Sequence, residues 1–550
     1  PHVWSVHIRD RNCPQLFTNG KGASRKAALA SALGEYFERL SNNYFFADYF
    51  LPAAQESHGF LHYPNERWFH TRNGQVDDKI LNDHTLRHFY DEDKQWRQHH
   101  LIDLNSDGTE RGVCAIPYVR QRDGETIWFP VNLIANLYVS NGMSAGNNQP
   151  EAQVQALAEI FERFVKFKII AEGISLPDIP NSTLERYPYI LEAIDSLKQS
   201  GFDLLIKDAS LGGQFPVVNV TLLNRDDGSC FASFGAHPRF AVALERTVTE
   251  LLQGRNLDQL SGFSAPSFDH QHVASAENLE THFIDSAGEL SWHFFSETPD
   301  VDYVDWDLQT DTQRELEYCQ NLIHDAGFDI YVAEFDHLGV ACCRILVPGM
   351  SEIYLPDDLV WDNSNSAIGL RQTILNIQQA DQRTWQSLFD NLIDEGYDDQ
   401  QPISALLGLL PDTGSVWEQL RIGELKCHLA LALGELEKAW EWSSWVLEFS
   451  QNQEQQRLYT CLRHWIGLHL GSDYHPQNQR TVLESLFGTE LVAHCDRWVR
   501  REVVFPGLDA PGDRLEGFVA HNRLLDAYQR LQRAKAAFAS KSGTPGKISR

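Results

Sequence analysis

The stretch GKGASRKAALASALGEYFERL, residues 20–40, runs from a glycine-containing segment into an alanine- and leucine-rich helical pattern that ends on Glu35, Glu38 and Arg39. A shift of 124 residues lays it on SNGMSAGNNQPEAQVQALAEIFERF, residues 140–164. Gly22 then falls on Gly146, Ala28 on Ala152, Ala32 on Ala156, Leu33 on Leu157, Phe37 on Phe161, and the acidic set Glu35, Glu38, Arg39 on Glu159, Glu162, Arg163. Each copy reads as a glycine turn, Thr18–Gly22 or Ser140–Gly146, that leads into a helix.

At about 100° per residue, Leu29, Leu33, Tyr36, Phe37 and Leu40 share one side of the first helix, which is expected to face a core. Ser31, Glu35, Glu38 and Arg39 take the other side. In the second helix Glu151, Gln155, Glu159 and Glu162 follow steps of four, four and three residues along one stripe, with Arg163 beside them. Taken singly, each Glu–Arg pair at i,i+4 is an ordinary surface ion pair worth a few tenths of a kcal/mol. Duplication in register favours a shared site, because solvated charge patterns have no reason to repeat. If the two helices pack as pseudo-symmetric partners, their carboxylates converge and must rise in pKa or bind cations. An all-oxygen set of this kind suits magnesium, a hard ion that keeps water or phosphate among its ligands.

The 550 residues exceed what one core usually supports, so at least two domains are expected. Up to about residue 370, strand-like segments such as Ile127–Val139, Pro216–Leu223 and Ile330–Phe335 alternate with helical patterns, which indicates an α/β or α+β domain over residues 1–375. Beyond it, residues 376–540 read as a separate all-α domain. In HLALALGELEKAWEWSSWVL, His428–Leu447, Gly434 divides two helical segments and Ala439 follows at a close-packing position, so this domain is tetratricopeptide-like. It is either a concave protein-binding surface or a stabilising bundle. The tail 541–550 is expected to be disordered. The chain starts without methionine and enters a strand at once, which predicts that an N-terminal segment is missing.

A net charge of −30 argues against direct nucleic-acid binding and suits a basic protein partner, although acidic charge also serves solubility alone. No stretch is long and apolar enough for a bilayer span and no signal segment is evident, so a soluble, cytoplasmic protein is expected. Nine scattered cysteines do not form a disulfide framework. They also lack the spacing of a zinc or iron–sulfur site. Cys342 and Cys343 read as neighbours on opposite faces of a strand rather than as a redox pair.

The strings at 20–40 and 140–164, followed by FASFGAHPRFAVALERTVTELLQGR at 231–255, resemble the YcaO family, and the similarity runs from Val3 almost to the C-terminus. The resemblance implies a fold that binds ATP and Mg2+ without a phosphate loop, and this chain has no Gly-x-x-x-x-Gly-Lys-Ser/Thr sequence. It assigns Glu35, Glu38, Glu151, Glu159 and Glu162 to magnesium. It assigns Lys21, Ser31, Glu35, Glu38, Asn147, Glu151, Gln155, Arg163 and Arg246 to the nucleotide, and a catalytic part to Glu159, Glu162, Arg163 and Arg246. Arg246 is then a phosphate clamp, with a salt bridge to Glu245 or Glu250 as the rival reading. His237, before Pro238, reads as structural.

The activity implied is ATP hydrolysis that activates a peptide amide carbonyl by phosphorylation. Partners implied are a small-subunit ribosomal protein and a methylthiotransferase, with the chain itself a homodimer. Azoline-forming members carry a peptide-recognition partner and a proline-rich tail, whereas this chain ends GTPGKISR, so heterocycle formation does not fit. The alternative is an ATP-binding interaction protein that docks a basic partner through its helical domain and performs no amide chemistry of its own.

Overall fold

The structure, a computed structural model, describes residues 4–52, 58–70, 74–106, 111–199, 201–251, 262–450, 452–512 and 514–542. The expected disordered tail therefore falls almost wholly outside the described residues. The N-terminal part is built on three antiparallel sheets. β1 (Trp4–Arg9) pairs with β2 (Phe17–Gly22). The six-stranded sheet contains β3 (Arg67–Phe69), β4 (Val113–Arg120), β5 (Thr126–Pro130) and β6 (Met143–Gly146). The third sheet has the order β7 (Phe202–Asp208), β8 (Val217–Asn224), β9 (Cys230–Ala236). β10 (Tyr331–Phe335) and β11 (Ala341–Leu346) complete the six-stranded sheet, in which the path runs β3-β4-β10-β11-β6 and β5 pairs with β4. Because every ladder between these strands is antiparallel, the architecture is α+β rather than a parallel α/β sheet.

Several expectations are corrected. Thr18–Gly22 is not a turn but most of strand β2. The strand expected over 127–139 ends at Pro130, and the chain turns helical over Val131–Tyr138. Leu29 and Leu33, expected in a core, are 44% and 42% exposed, while Ala28 and Ala32 are fully buried. The reason is the strand beneath them: a Cβ at Gly20 would overlap the carbonyl of Ala28 and the amide of Ala32, so only small side chains fit between β2 and the helix. Gly20→Ala is expected to destabilise the chain by about 1–3 kcal/mol, through overpacking against backbone that cannot step aside. Urea unfolding monitored by tryptophan fluorescence measures it.

Cys342 and Cys343 lie side by side on β11 and both are buried, since that strand is covered on both faces. All nine cysteines are free and buried.

The C-terminal part is helical. Ile422–Leu433 ends at Gly434 with φ +81°, and Leu436–Phe449 turns back with Ala439 buried, which is the expected helix–turn–helix. Its core also contains Trp465, Trp498 and Leu425. The last helix, Val519–Ser542, leaves that core and packs Leu524, Tyr528 and Leu531 against Cys13, Leu16, Phe46 and Leu61. His521 stitches the junction: Leu410 N–H donates to its Nδ1 at 3.0 Å, so Nε2 carries the proton and donates to the Phe50 carbonyl at 2.8 Å. The two parts thus share a core. No helix among the described residues is long and apolar enough to cross a membrane.

Candidate functional site

Three strand-to-helix units build the site. The first helix, Arg25–Ser41, is started by Ser24, whose hydroxyl accepts from Ala27 N–H, and carries Arg39 in its last turn, where a cation meets the negative end of the helix dipole. The second helix, Gln149–Glu172, is started by Asn148, with Pro150 in its first turn, and stopped by Gly173 in the left-handed region. Both lie against β6 and β11, and the second also meets β9.

The third unit was not recognised as a repeat from sequence. β9 leads into the helix Phe240–Glu250, and there Gly235 abuts the Ala243 carbonyl and Thr247 just as Gly20 abuts Ala28 and Ala32. A shift of 215 residues, Gly20 to Gly235, carries Ala28 to Ala243, Ala32 to Thr247 and Glu35 to Glu250. Ser31, Gln155 and Arg246 therefore occupy one repeat position, and Glu35, Glu159 and Glu250 the next turn. The glycine–small-residue spacing could have revealed the third copy. Only the glutamate recurs at its chemical end, so an acidic-motif search passes over it.

The two expected ion pairs exist. Arg39 holds Glu35 at 3.0 Å and stacks over Tyr44 at 4.5 Å; Arg163 holds Glu159 at 2.8 Å and stacks over Phe283 at 4.7 Å. Arg246 is half-buried, donates to Gln155 and reaches the Ala236 carbonyl at 3.4 Å, which differs from both rival pairings. Lys21 pairs with Glu250.

The electrostatics tie the three helices together. Burial, then the neighbouring Glu159 charge, pushes Glu38 well above the carboxylate range. Burial likewise raises Glu159, opposed by Arg163 and Arg39. Glu162 is pushed up to about 7 by burial and then by Glu250, while Arg163 and Lys166 oppose. Burial lowers Arg246, and Glu162, Glu250 and Glu159 pull it back up.

The structure thus brings together Glu35, Glu38, Glu159, Glu162, Arg163, Arg246, Gln155 and, through Glu250, Lys21. Ser31 accepts from the Lys21 backbone N–H at 3.4 Å. Asn147 and Glu151 pair with each other at 2.9 and 3.0 Å, and among the described residues no hydrogen bond or ion pair ties them to the other carboxylates. Among the described residues no three acidic or sulfur and imidazole groups are already closed to metal-ligating distance. The carboxylates of Glu38, Glu159 and Glu162 nevertheless suit a cation: they are crowded and half-buried, and burial raises all three in spite of the arginines beside them.

Two further groups matter. Lys166, buried one turn beyond Glu162, donates to the His282 carbonyl at 2.6 Å and Ser286 Oγ at 2.7 Å, and burial lowers it to about 8. His237 accepts from Arg239 N–H at 3.0 Å and burial lowers it to about 3, which fits the structural role expected of it.

A pH dependence follows. The folded, metal-free chain holds the Glu162 proton that the unfolded chain releases between 4.5 and about 7, so the stability it lends at low pH is lost as pH rises through that window. Without magnesium, the thermal midpoint of the parent chain relative to that of Glu162→Gln is expected to fall as pH rises through that window, and a difference that rises instead contradicts the assignment.

Residues 19–351 match the family described as YcaO cyclodehydratase, ATP- and Mg2+-binding, and residues 367–537 match the YcaO cyclodehydratase C-terminal domain. The chain is 48% identical over 547 residues to the Escherichia coli protein named ribosomal protein S12 methylthiotransferase accessory factor YcaO, covering 98% of this chain and 93% of that one. It is also 48% identical to an uncharacterized protein of Haemophilus influenzae, over 97% of this chain and 92% of the other. A solved YcaO structure from Methanopyrus kandleri, bound with AMPPCP and Mg2+, is 18% identical with a TM-score of 0.39, over 63% of this chain and 82% of that one. With the matched family spanning more than half its length and near-full-length relatives at that identity, the chain belongs to the YcaO family.

Proposed function

We propose that this chain binds MgATP where its three repeated helices meet and uses the γ-phosphate to activate a peptide amide, in support of methylthiolation of a small-subunit ribosomal protein. The observation that carries the reading is the set of crowded, raised-pKa carboxylates Glu38, Glu159 and Glu162 facing Arg39, Arg163 and Arg246. Glu35, Glu38, Glu159, Glu162 and Glu250 are the residues to hold magnesium, with Glu151 and Asn147 as outer members. Magnesium, when bound, supplies neutralisation of the phosphate charge.

With magnesium held by Glu35 and Glu159, their present partners Arg39 and Arg163 would be the planar donors that match phosphate oxygens. Arg246, half-buried among these charges, would stabilise the group in transfer. A nucleophile adds to the carbonyl carbon, and the amide oxygen that takes up the electron pair forms a bond to Pγ while the Pγ–O bond to ADP breaks and ADP leaves with its electron pair. Phosphate then departs with that oxygen as the C–O bond breaks. The chain orients and neutralises; its own side chains form no covalent intermediate.

The E. coli relative's name supports the ribosomal link, and a net charge of −30 suits a basic ribosomal protein and speeds its encounter. The same relative is named an accessory factor of a methylthiotransferase, which favours a place for this chain beside such an enzyme. We place it in the cytoplasm as a homodimer, for which the exposed Leu29 and Leu33 offer an apolar face. ADP release with and without the ribosomal protein is the test. Stimulated turnover supports amide activation, and tight nucleotide binding without turnover assigns the chain to the ATP-binding accessory class.

A further inference from the structure

Of the six most exposed large apolar side chains among the described residues, three lie on two segments that touch: Ile284 at 70%, Leu355 at 65% and Trp361 at 80%. Ile284 ends the helix Ala276–Ile284, one turn past Glu280. Glu280 accepts from the Tyr354 hydroxyl at 2.5 Å, which ties that helix to the segment carrying Leu355. The chain then enters the short helix Asp358–Trp361, and the Asp358 carboxylate folds back to accept from Leu355 N–H at 3.1 Å. One exposed apolar residue is ordinary, whereas three around one point are the mark of a contact surface.

The ground between them is acidic. Burial, and then the charges of Asp362, Asp357 and Glu280, pushes Asp358 above the usual carboxylate range, so four carboxylates crowd one spot. The stretches 256–313 and 345–370, which supply this surface, contain no lysine or arginine.

The patch adjoins the nucleotide site. Phe283, the ring under Arg163, immediately precedes Ile284. The N–H groups of Ile353 and Tyr354 donate to the Leu137 carbonyl at 2.7 and 3.2 Å, three residues before Ser140, which accepts from Arg163 at 3.5 Å. Burial first, then Glu280, Asp362 and Tyr44, raises Tyr354, and Tyr44 is the ring under Arg39.

We propose that the patch around Leu355 and Trp361 docks a basic segment of the polypeptide whose amide is activated. Charge and surface agree on this occupant. Lysine or arginine supplies the cations that the four carboxylates lack, while its aliphatic stem and neighbouring apolar side chains cover Trp361 and Leu355. A second copy of this chain fits poorly, because a two-fold contact would set the same acidic ground against itself. The identity of the segment rests on the amide-activation reading; docking does not, and is measured without nucleotide.

The probe is a fluorescein-labelled peptide of repeated Lys-Leu-Gly, titrated with the full chain and followed by anisotropy. Expected is saturable binding, about tenfold weaker in Trp361→Ala, an exposed position whose loss spares the core. Asp357→Asn with Asp362→Asn should weaken binding more than Asp390→Asn with Asp394→Asn, which removes equal charge from the exposed face of the helix Gln382–Asp394. A Lys-Ser-Gly peptide should bind more weakly than the leucine form, and the bound peptide should slow amide exchange over residues 353–362. Equal affinity in the parent and Trp361→Ala, or equal losses in the two double variants, overturns the proposal. So does a dimer in sedimentation that Trp361→Ala dissociates, which gives the face to a second copy. Docking as expected without stimulated ADP release counts against the amide-activation reading alone.

Discussion

Glu159→Gln and Glu162→Gln are each expected to lower ATP turnover by about a hundredfold or more, the effect typical of removing one charged group that acts on transferring phosphoryl oxygens. The same substitutions should leave the metal-free fold intact or raise its midpoint at pH 8. The sign follows from the raised pKa values: the ionised forms of Glu159 and Glu162 are disfavoured in the folded chain, so a neutral amide relieves repulsion while removing a ligand. Opposite signs in activity and stability separate a functional site from a structural ion pair, whose loss would weaken both. Glu250→Gln should share the pattern, because Glu250 is the second-largest cause of the upward shift of Glu162. Steady-state ADP release and thermal unfolding measure the two arms; unchanged turnover and MgATP affinity in all three variants would falsify the assignment.

Arg371→Met is expected to cost about 3–5 kcal/mol of stability, the range for breaking a buried charged network from one side. Arg371 is 1% exposed on the helix Ile368–Leu375. It donates to the carbonyls of Leu104 at 2.7 Å, Ser106 at 2.9 Å and Leu407 at 3.0 Å, and lies 4.0 Å over the Phe50 ring. Those carbonyls come from both halves of the chain, so methionine leaves acceptors buried and unmatched on each side of the junction. Urea unfolding should show a lower midpoint, and limited proteolysis should cut early near residues 400–420, before the N-terminal sheets are attacked. A variant within 1 kcal/mol of the parent would show that water readily replaces the guanidinium there.

How far the residues alone led is clearest at the first repeat helix. Its acidic side was read correctly because 3.6-residue periodicity is local geometry: Glu35, Glu38 and Arg39 cannot escape their relation to one another in a helix. Its core side was right for Tyr36 and Leu40, which pack against a core, and wrong for Leu29 and Leu33, because Ala28 and Ala32 are the residues that a glycine-bearing strand can approach. A segment judged a turn for its glycines is strand β2, where glycine serves close approach instead. At the C-terminus, the Gly434 and Ala439 pattern named its helical hairpin, whereas the return of Val519–Ser542 to the N-terminal core left no local mark.

By itself the sequence determined the duplicated acidic helices, the helical second part and the family, since each rests on spacing along the chain. Only the tertiary structure decided that Glu250 joins Glu162 and that Arg246 meets Gln155 rather than a neighbouring carboxylate. The physical reason is that burial and Coulomb energy depend on which charges lie within a few ångströms through space, and residues hundreds of positions apart set those distances.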